Sequence, residues 1–594
     1  SEPSAILSPR HPNTPVVPLT ESIERFIHAQ FRKLRSEAKR IVEALAVLGS
    51  ITPFHLIEQV TGLTKGDLVQ SIDETVALGF VRDLNGAFII SHDLVREATY
   101  RLISSARRQV LHNVAADVLK TIPDTPPGVL AVHYHQAGNK CSAYEYAMQA
   151  ANASKRLYAS REAEYFLNLA LANAGEGEGW HAKEELASLY FESRRYSEAE
   201  SLLDDLLEKI DKDLDPHRWI SLQITRATIH VARGIGVSVD IAEHLEKLAD
   251  FARRIGATYV LPKIVTQIMV VAFDIGDRER VERAADEMIA IARNALDVRT
   301  AVTAAADAAS AIGAYRSADE ALRISEWVHG LANRDGSEEL MHLALSSRGT
   351  SYYLTGRLDE AEDDFLESLT TARRLAQTRN TLKSRNNLSV VYLERGDYER
   401  SEEMIRELIQ FAEESMAKRE LLFAYGNLAV LCAEKSEWQE AERAATEALV
   451  LGKEVPNRWC DITAWAIIGL CALEYRRMDK VKCCREKVLA HFDGREFWAA
   501  DASYAEIFLS RVYEREGEVD RALERLDRAI AAYAGRDVFC RSRLRLERAR
   551  LLADRDPEVA WREAGEVRDF AARVGARPLV EKADRILDRL PALR

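Results

Sequence analysis

The chain has 594 residues, more than one hydrophobic core supports, and this length predicts several domains or a repeat array. It is 47% hydrophobic, 29% charged and 7% aromatic, a mixture rich in helix-forming residues and ordinary for a soluble protein. The formal net charge of −13 argues against DNA or an anionic membrane as the main partner, because both attract basic surfaces.

The cysteine content predicts a reducing, cytoplasmic location. The chain has seven cysteines, an odd number, and none of them forms a C-x-x-C pair. No apolar run reaches the ~20 residues of a membrane span, and the first residues lack the apolar core of a signal peptide. We therefore expect no membrane partner.

Residues 1–20 contain five prolines, which disfavour helix and predict an extended tail or linker. Because the chain opens in such a segment, we expect it to be part of a longer protein.

Helical periodicity begins directly after this tail. Apolar spacing predicts one amphipathic helix over residues 21–48, ended by Gly49, and a short helix near residues 53–60. A further helix is predicted from Asp67 to Leu78, with Thr64 as its N-terminal cap.

A β-hairpin is predicted next. Asn85–Gly86 lies between two short apolar runs, the strongest short-range hairpin signal, and a helix follows at about residues 106–122. Helices followed by a hairpin make a winged-helix arrangement, so residues 21–122 are predicted to form a winged-helix-like domain.

The candidate recognition helix of this domain argues against DNA binding. Lys65 stands there against Asp67, Asp73 and Glu74. A helix of net negative charge is repelled by phosphates, so DNA is not expected as a partner of this winged helix.

A proline-rich segment, residues 123–128, is predicted to be a hinge, and residues 129–594 all have helical patterns. Turns recur every 40 residues, the last after 41, at Gly276, Arg316, Gly356, Gly396, Ser436, Arg476 and Gly517. Five positions after each turn lies a small or compact residue, namely Val281, Ala321, Ala361, Ser401, Ala441, Val481 and Ala522. The spacing predicts a solenoid of helix pairs, irregular to about residue 255 and regular over 256–594.

The repeat resembles a known family. Residues 396–401 (GDYERS), preceded by 386–392 (NNLSVVY), and residues 356–361 (GRLDEA) resemble tetratricopeptide repeats (TPR), although the usual period is 34. The resemblance covers roughly residues 129–594. It implies an all-α, TPR-like superhelical solenoid whose concave groove binds a partner, and it leaves the ligand open.

A second resemblance concerns residues 91–98 (SHDLVREA) and 105–112 (SARRQVLH), which are similar to the His-Asp motif and following helix of bacterial STAND signalling ATPases. The resemblance implies that His92 contacts the β-phosphate of bound ADP and that Asp93 orients the turn. The alternative is structural, with Asp93 capping a helix that begins at Leu94. The sequence contains no P-loop, so ATP or ADP would need an adjoining nucleotide-binding module in cis, and no cofactor is expected in this chain itself.

Two candidate binding surfaces follow from the repeat. Stepping the period along one groove-facing position selects Gln267, Asp307, Ser347, Asn387 and Asn427. Asn carboxamides at this position can hold a peptide backbone, although Asn is also simply common there. Aromatic residues concentrate further along, and an aromatic pocket is predicted from Trp459, Trp465, Trp498 and Tyr504, with core packing as the alternative.

These patterns predict a non-catalytic sensor region of a STAND-type regulator. A protein, a peptide or a small-molecule inducer would bind the solenoid and shift a nucleotide switch through the winged helix, and oligomerisation on activation is expected of such a regulator. The alternative is a stand-alone scaffold or adaptor that binds a protein segment in its groove. Neither G-x-S-x-G nor H-E-x-x-H occurs, so no enzyme activity is predicted.

Overall fold

The computed structural model describes residues 21–156, 159–175, 177, 179–193, 195–233, 239–375, 377–414, 417–455, 457–492 and 502–590. The chain divides into two compact units, Ser1–Lys209 (the N-terminal unit) and Ile210–Arg594 (the C-terminal unit). Nearly all of the described chain is helical. The tail predicted at residues 1–20 lies outside the described residues.

The described part of the N-terminal unit contains eleven helices and three short strands. They are α1 (Glu21–Lys33), α2 (Ser36–Leu48), β1 (Thr52–Pro53), α3 (Phe54–Thr61), α4 (Lys65–Ala77), β2 (Val81–Asp83), β3 (Ala87–Ile90), α5 (Asp93–Leu102), α6 (Ser105–Leu119), α7 (Pro127–Ala137), α8 (Lys140–Arg156), α9 (Ser160–Asn173), α10 (Trp180–Glu192) and α11 (Tyr196–Lys209).

The three strands form one antiparallel sheet in the order β1-β3-β2. In the register of β2 and β3, Val81 is opposite Ile90. Asn85 and Gly86 connect these strands with φ values of 57° and 87°. Both residue types tolerate this left-handed conformation, which a tight hairpin turn requires.

The prediction of one helix over residues 21–48 is wrong, because the chain leaves the helix between α1 and α2. Arg35 is extended, with φ −63° and ψ 163°. Its backbone N–H donates to Glu74 Oε1 (3.0 Å) and its Nε donates to Glu74 Oε2 (2.6 Å). The carboxylate of α4 thus satisfies an amide that a continuous helix would have bonded internally.

The cap predicted at Thr64 is confirmed, since its hydroxyl accepts from the Asp67 amide. In contrast, Asp93 does not precede its helix: α5 begins at Asp93, and His92 is the N-cap residue without a side-chain capping bond. The helix predicted at residues 106–122 is α6, which begins at Ser105 and ends at Leu119.

A hydrophobic cluster of the N-terminal unit extends across residues 123–128. It joins Leu48 of α2 and Leu119 of α6 to Leu130 and Tyr134 of α7, all buried. The separation of two domains at this segment stays a prediction. The helices on either side of it share one core.

The described part of the C-terminal unit contains nineteen helices and a 3-10 turn at Thr258–Val260. The helices are α12 (Pro216–Arg233), α13 (Val239–Arg254), α14 (Leu261–Ile275), α15 (Arg278–Asn294), α16 (Val298–Tyr315), α17 (Ala318–Asp335), α18 (Glu338–Leu354), α19 (Leu358–Arg374), α20 (Thr378–Arg395), α21 (Tyr398–Glu414), α22 (Lys418–Glu434), α23 (Trp438–Gly452), α24 (Arg458–Glu474), α25 (Met478–Phe492), α26 (Ser503–Arg515), α27 (Val519–Ala532), α28 (Val538–Leu552), α29 (Pro557–Val574) and α30 (Arg577–Leu587).

Most of the turns between paired helices share one backbone conformation. Six of the seven aligned residues have positive φ, namely Gly276, Gly356, Gly396, Ser436, Arg476 and Gly517. Arg316 is the exception, with φ −124°. The small residues five positions after the turns are all at most 2% exposed, so the second helix of each pair packs closely on the first.

By length and composition alone, the segment Thr258–Ile275 is apolar enough to cross a membrane, and half of it is buried in the fold. It contains α14, whose Ile264, Val265 and Val271 are fully buried in the core of the C-terminal unit. The segment is therefore also explained as the first helix of a repeat.

Polar contacts connect helices of the C-terminal unit that are far apart in sequence. Asp274, buried in α14, accepts hydrogen bonds from Nη1 and Nη2 of Arg419 (2.8 and 2.9 Å), 145 residues away. It also accepts the Asn457 side-chain amide at 2.9 Å. Arg543 contacts Glu394 at 2.6 Å across 149 residues. Helices that are far apart in the sequence of the C-terminal unit are therefore in direct polar contact.

Candidate functional site

The C-terminal unit encloses a partly open cavity of about 260 Å³. Its lining comes mainly from the first helices of six consecutive pairs, α14, α16, α18, α20, α22 and α24. The lining residues are Phe273, Ser310, Gly313, Ala314, Thr350, Tyr353, Leu354, Phe365, Asn386, Asn387, Val390, Leu393, Glu394, Gly426, Asn427, Val430, Trp459, Cys460, Thr463, Tyr533 and Asp537.

The cavity crosses the helices obliquely. On α14 it is lined near the C-terminus, by Phe273, whereas on α24 it is lined near the N-terminus, by Trp459 and Cys460. Each pair is rotated relative to the previous one in a superhelical stack, so a common axis meets a different level of each helix.

Most lining hydroxyls and two of the three lining carboxamides are already hydrogen-bonded inside the protein. Ser310 and Thr350 donate to backbone carbonyls of their own helices at 3.2 and 2.9 Å. The Asn427 amide donates to Asn386 Oδ1 at 2.9 Å. In contrast, Asn387 Nδ2 and Trp459 Nε1 are buried donors with no partner in the described structure.

The ionisable lining groups are neutral or already compensated. Burial raises the pKa of the Tyr353 hydroxyl and of the Cys460 thiol well above their usual values, so both stay protonated. Glu394 is paired with Arg543 at 2.6 Å. Asp537 caps α28 by accepting the amides of Phe539 and Cys540.

Residues distant in sequence complete the wall. Tyr533 and Asp537, between α27 and α28, line the same cavity as Phe273 of α14. The Arg536 guanidinium donates to the Ala314 carbonyl at 2.8 Å, and the Ala318 amide donates to the Gly535 carbonyl at 2.9 Å. These bonds hold the turn before α28 against α16 and α17, so the cavity depends on contacts that the repeat period does not encode.

Of the five groove residues predicted from the period, Asn387 and Asn427 line the cavity. The other three are not among its lining residues: Asp307 Oδ2 accepts from Thr266 at 3.0 Å, Ser347 is buried, and Gln267 is half-buried on α14. A fixed period selects the same level on every helix, whereas the cavity meets each successive helix at a different level. The periodic signal therefore identified only the two central positions.

The predicted aromatic residues do not form one pocket. Trp459 lines the cavity and packs against Phe423, with ring centroids 5.5 Å apart. Trp465 and Tyr504 belong to the core, where the Tyr504 hydroxyl donates to Glu434 at 2.9 Å. Trp498 lies outside the described residues. One residue of each predicted site, Asn387 and Trp459, therefore lines the same cavity.

Other lining residues were not selected from the sequence, above all Asn386, Gly426, Tyr353 and Tyr533. The first two had a usable signal, since each directly precedes a predicted asparagine. Tyr353 and Tyr533 had none, because their place in the wall depends on the stacking of distant helices.

The predicted nucleotide-sensing residues His92 and Asp93 lie exposed where β3 leads into α5. From this helix a chain of hydrogen bonds runs inward. Tyr100 of α5 contacts His112 Nε2 at 2.8 Å, and His112 Nδ1 lies 3.0 Å from His133 Nδ1 on α7. Burial lowers the pKa of His112 to about 3 and that of His133 to about 4, so both rings are neutral at pH 7.

No cluster of three or more metal-ligating side chains occurs in the portion of the chain that the structure describes. The seven cysteines are free thiols, and Cys483 is exposed while its neighbour Cys484 is buried.

The family comparison concerns the middle of the C-terminal unit. Residues 340–414, which span α18 to α21, match the sequence model of the tetratricopeptide repeat family. Comparison of the sequence with curated proteins gives no match.

Several solved structures are similar in fold. One is a Signal Transduction ATPase with Numerous Domains (STAND) protein with a tetratricopeptide repeat sensor from Pyrococcus horikoshii, at 14% identity over 80% of this chain and 67% of that chain, with a TM-score of 0.40. Another is a Rap protein complexed with competence and sporulation factor, at 12% identity over 63% and 100% of the two chains and a TM-score of 0.41. The apo form of the quorum sensor NprR from B. thuringiensis has 14% identity over 60% and 99%, with a TM-score of 0.37. The presence of tetratricopeptide repeats in this chain rests on the family match and on the helix pairs.

Proposed function

We propose that this chain is the sensing region of a STAND-type signalling regulator, in which a ligand binds the cavity of the C-terminal unit. The observation that carries the proposal is the composition of the cavity wall. It combines the first helices of six pairs with residues between α27 and α28, so a ligand there contacts segments that are distant in sequence and that the Arg536–Ala314 hydrogen bond holds together. Such a ligand favours the arrangement in which this hydrogen bond is made, which is how binding shifts a two-state equilibrium.

The cavity favours a compact ligand over a protein segment. Its volume of about 260 Å³ lies just below the range of about 300–1,000 Å³ usual for small-molecule pockets. A stand-alone scaffold that binds an extended segment would instead need an open groove.

The second part of the proposal concerns residues 21–122, which we infer to be a winged helix. The element order α1-α2-β1-α3-α4-β2-β3 and the sheet order β1-β3-β2 support this assignment. The hydrogen bonds from Tyr100 through His112 to His133 connect α5, the helix that follows His92, to the first solenoid helices of the N-terminal unit. This connection provides a physical route between the solenoid and the His-Asp pair.

His92 and Asp93 would face a nucleotide held mainly by an adjoining module. His92 is exposed at the N-terminus of a ten-residue helix, where an imidazole and the positive end of the helix dipole suit a phosphate oxygen. Asp93 is acidic and does not itself suit a phosphate, so its expected role is to orient the turn. The bound ADP would stabilise the inactive state of the switch.

The experiment uses the natural full-length protein with its nucleotide module. We expect His92→Ala to reduce the ADP retained after gel filtration, with His55→Ala, an exposed histidine on α3, as the matched control. Equal retention by both variants would remove the nucleotide-sensing assignment. If the natural protein has no nucleotide module, the coupling is contradicted and the scaffold function takes its place. The chain alone is expected to hydrolyse no ATP above background.

A further inference from the structure

Two unpartnered donors belong to residues that line the cavity, and they indicate the chemistry of its ligand. Asn387 Nδ2 and Trp459 Nε1 are buried and have no hydrogen-bond partner among the described residues, although both residues line the cavity. Folded proteins rarely leave buried donors unpaired, and a bound molecule that supplies acceptors would satisfy them.

The charges around the cavity exclude strongly ionic ligands. Among the described residues that line it, none is Lys, Arg or His, whereas Glu394 and Asp537 are acidic. An anion would be desolvated there beside two carboxylates, which is unfavourable. A cation would have to compete with Arg543, which already pairs with Glu394.

The remaining wall is mostly apolar. Phe273, Leu354, Phe365, Val390 and Val430 surround the polar groups, and the lining hydroxyls of Ser310 and Thr350 already donate to the backbone. Apolar walls with a few oriented donors are typical of sites for small neutral molecules.

We propose that the ligand is a small, uncharged and largely apolar molecule whose carbonyl oxygen, as in a ketone, lactone, ester or amide, accepts a hydrogen bond from Asn387 or from Trp459. This assignment rests on the proposed ligand-sensing function and specifies the chemistry of that same cavity. It also explains why an indole and a carboxamide, both donors, occur together in a wall with few other free polar groups.

One glycine offers a position from which a larger side chain would occupy the cavity. A Cβ atom built on Gly426, which lines the cavity from α22, has no atom within 4 Å. Gly426→Leu therefore fills the binding space while improving helix propensity. Gly330→Leu is the matched control, because Gly330 is also helical, has the same free space and does not line the cavity.

The test uses the whole chain and a panel of bicyclic ketones, lactones and lactams related to 1-tetralone, each with its hydrocarbon and its carboxylate counterpart. Binding is measured by ligand-observed NMR and calorimetry. We expect the carbonyl compounds to bind the parent chain and the Gly330→Leu variant, but not Gly426→Leu. The hydrocarbons and carboxylates should bind at least about tenfold more weakly, since one hydrogen bond contributes about that factor.

Two conservative variants separate the ligand class from the function. Asn387→Asp keeps the shape but replaces the donor by an acceptor, and Trp459→Phe removes the N–H while keeping a ring against Phe423. At least one of the two variants should weaken carbonyl binding about tenfold, and neither should change hydrocarbon binding. Circular dichroism and Tm verify that both fold, and Asn387→Leu serves as a second variant if the new carboxylate destabilises the chain.

The outcomes are distinct. Binding that Gly426→Leu abolishes but the donor variants leave unchanged overturns the ligand class and keeps the proposed function. Binding that Gly426→Leu leaves unchanged overturns both. A panel in which no carbonyl compound binds, or in which carboxylates bind best, overturns the ligand class.

Discussion

Two buried polar clusters, one in each unit, join helices in different ways. In the N-terminal unit, Tyr100, His112 and His133 join α5, α6 and α7 through neutral hydrogen bonds between rings close in sequence. In the C-terminal unit, ion pairs such as Asp274–Arg419 join helices 145 residues apart. A buried neutral pair is disrupted when a charge appears, whereas a buried ion pair is disrupted when a charge is removed. The difference predicts opposite responses of these two clusters to changes in charge.

The largest effect is expected from removing the buried carboxylate of the C-terminal unit. Asp274→Ala leaves the partly buried Arg419 without its counter-ion and the buried Asn457 without its acceptor, which should lower the free energy of unfolding by about 3 kcal/mol. Urea unfolding followed by tryptophan fluorescence measures this change.

The control for this variant is an exposed pair. Asp359, whose side chain is 89% exposed, pairs with Arg395, and Asp359→Ala should cost less than about 1 kcal/mol. Similar losses for both variants would contradict the importance assigned to the buried ion pair.

The second effect concerns pH and the N-terminal unit. The ordinary histidine pKa is 6.5, and in the folded chain the pKa of His112 is lowered to about 3 and that of His133 to about 4. As pH falls below 6.5, the unfolded chain therefore binds protons that the folded chain excludes. The stabilisation is complete above pH 6.5 and is lost on acidification, by about 2 kcal/mol for each ring between pH 7 and pH 5.

A variant isolates the contribution of one ring. His133→Asn keeps a polar atom near the position of Nδ1 but cannot titrate, so the loss of stability between pH 7 and pH 5 should decrease by about 2 kcal/mol. His55→Asn, at an exposed position on α3, is the matched control. An equal pH dependence in the parent chain and in His133→Asn would show that the ring pair does not resist protonation.

The comparison also explains what the sequence could predict. Turns and buried small residues repeat every 40 residues because each depends on contacts within one helix pair, and Ala361 and Ser401 are fully buried as the period requires. The break at Arg35 was missed because it depends on Glu74, 39 residues away.

The cavity was predictable only where it coincides with the period. Asn387 and Asn427 line it because the cavity crosses α20 and α22 at the level that the period follows. Phe273 and Asp537 line the same cavity from opposite ends of the unit, and no local pattern relates them. Their proximity depends on the superhelical twist and on the ion pairs between distant helices.

The smallest expected effect concerns the turns between paired helices, whose contacts are local. Ser436 and Arg476 occupy the left-handed conformation, with φ 61° and 52°, where aligned turns have glycine. A side chain in this conformation is strained by about 1–2 kcal/mol, and glycine recovers most of that while losing some entropy. Ser436→Gly and Arg476→Gly should each raise stability by about 0.5–1 kcal/mol, measured as an increase in Tm. Arg316→Gly should lower the Tm instead, because φ there is −124° and the Arg316–Asp286 ion pair is lost. An increase in Tm for all three variants would mean that glycine stabilises these turns independently of φ.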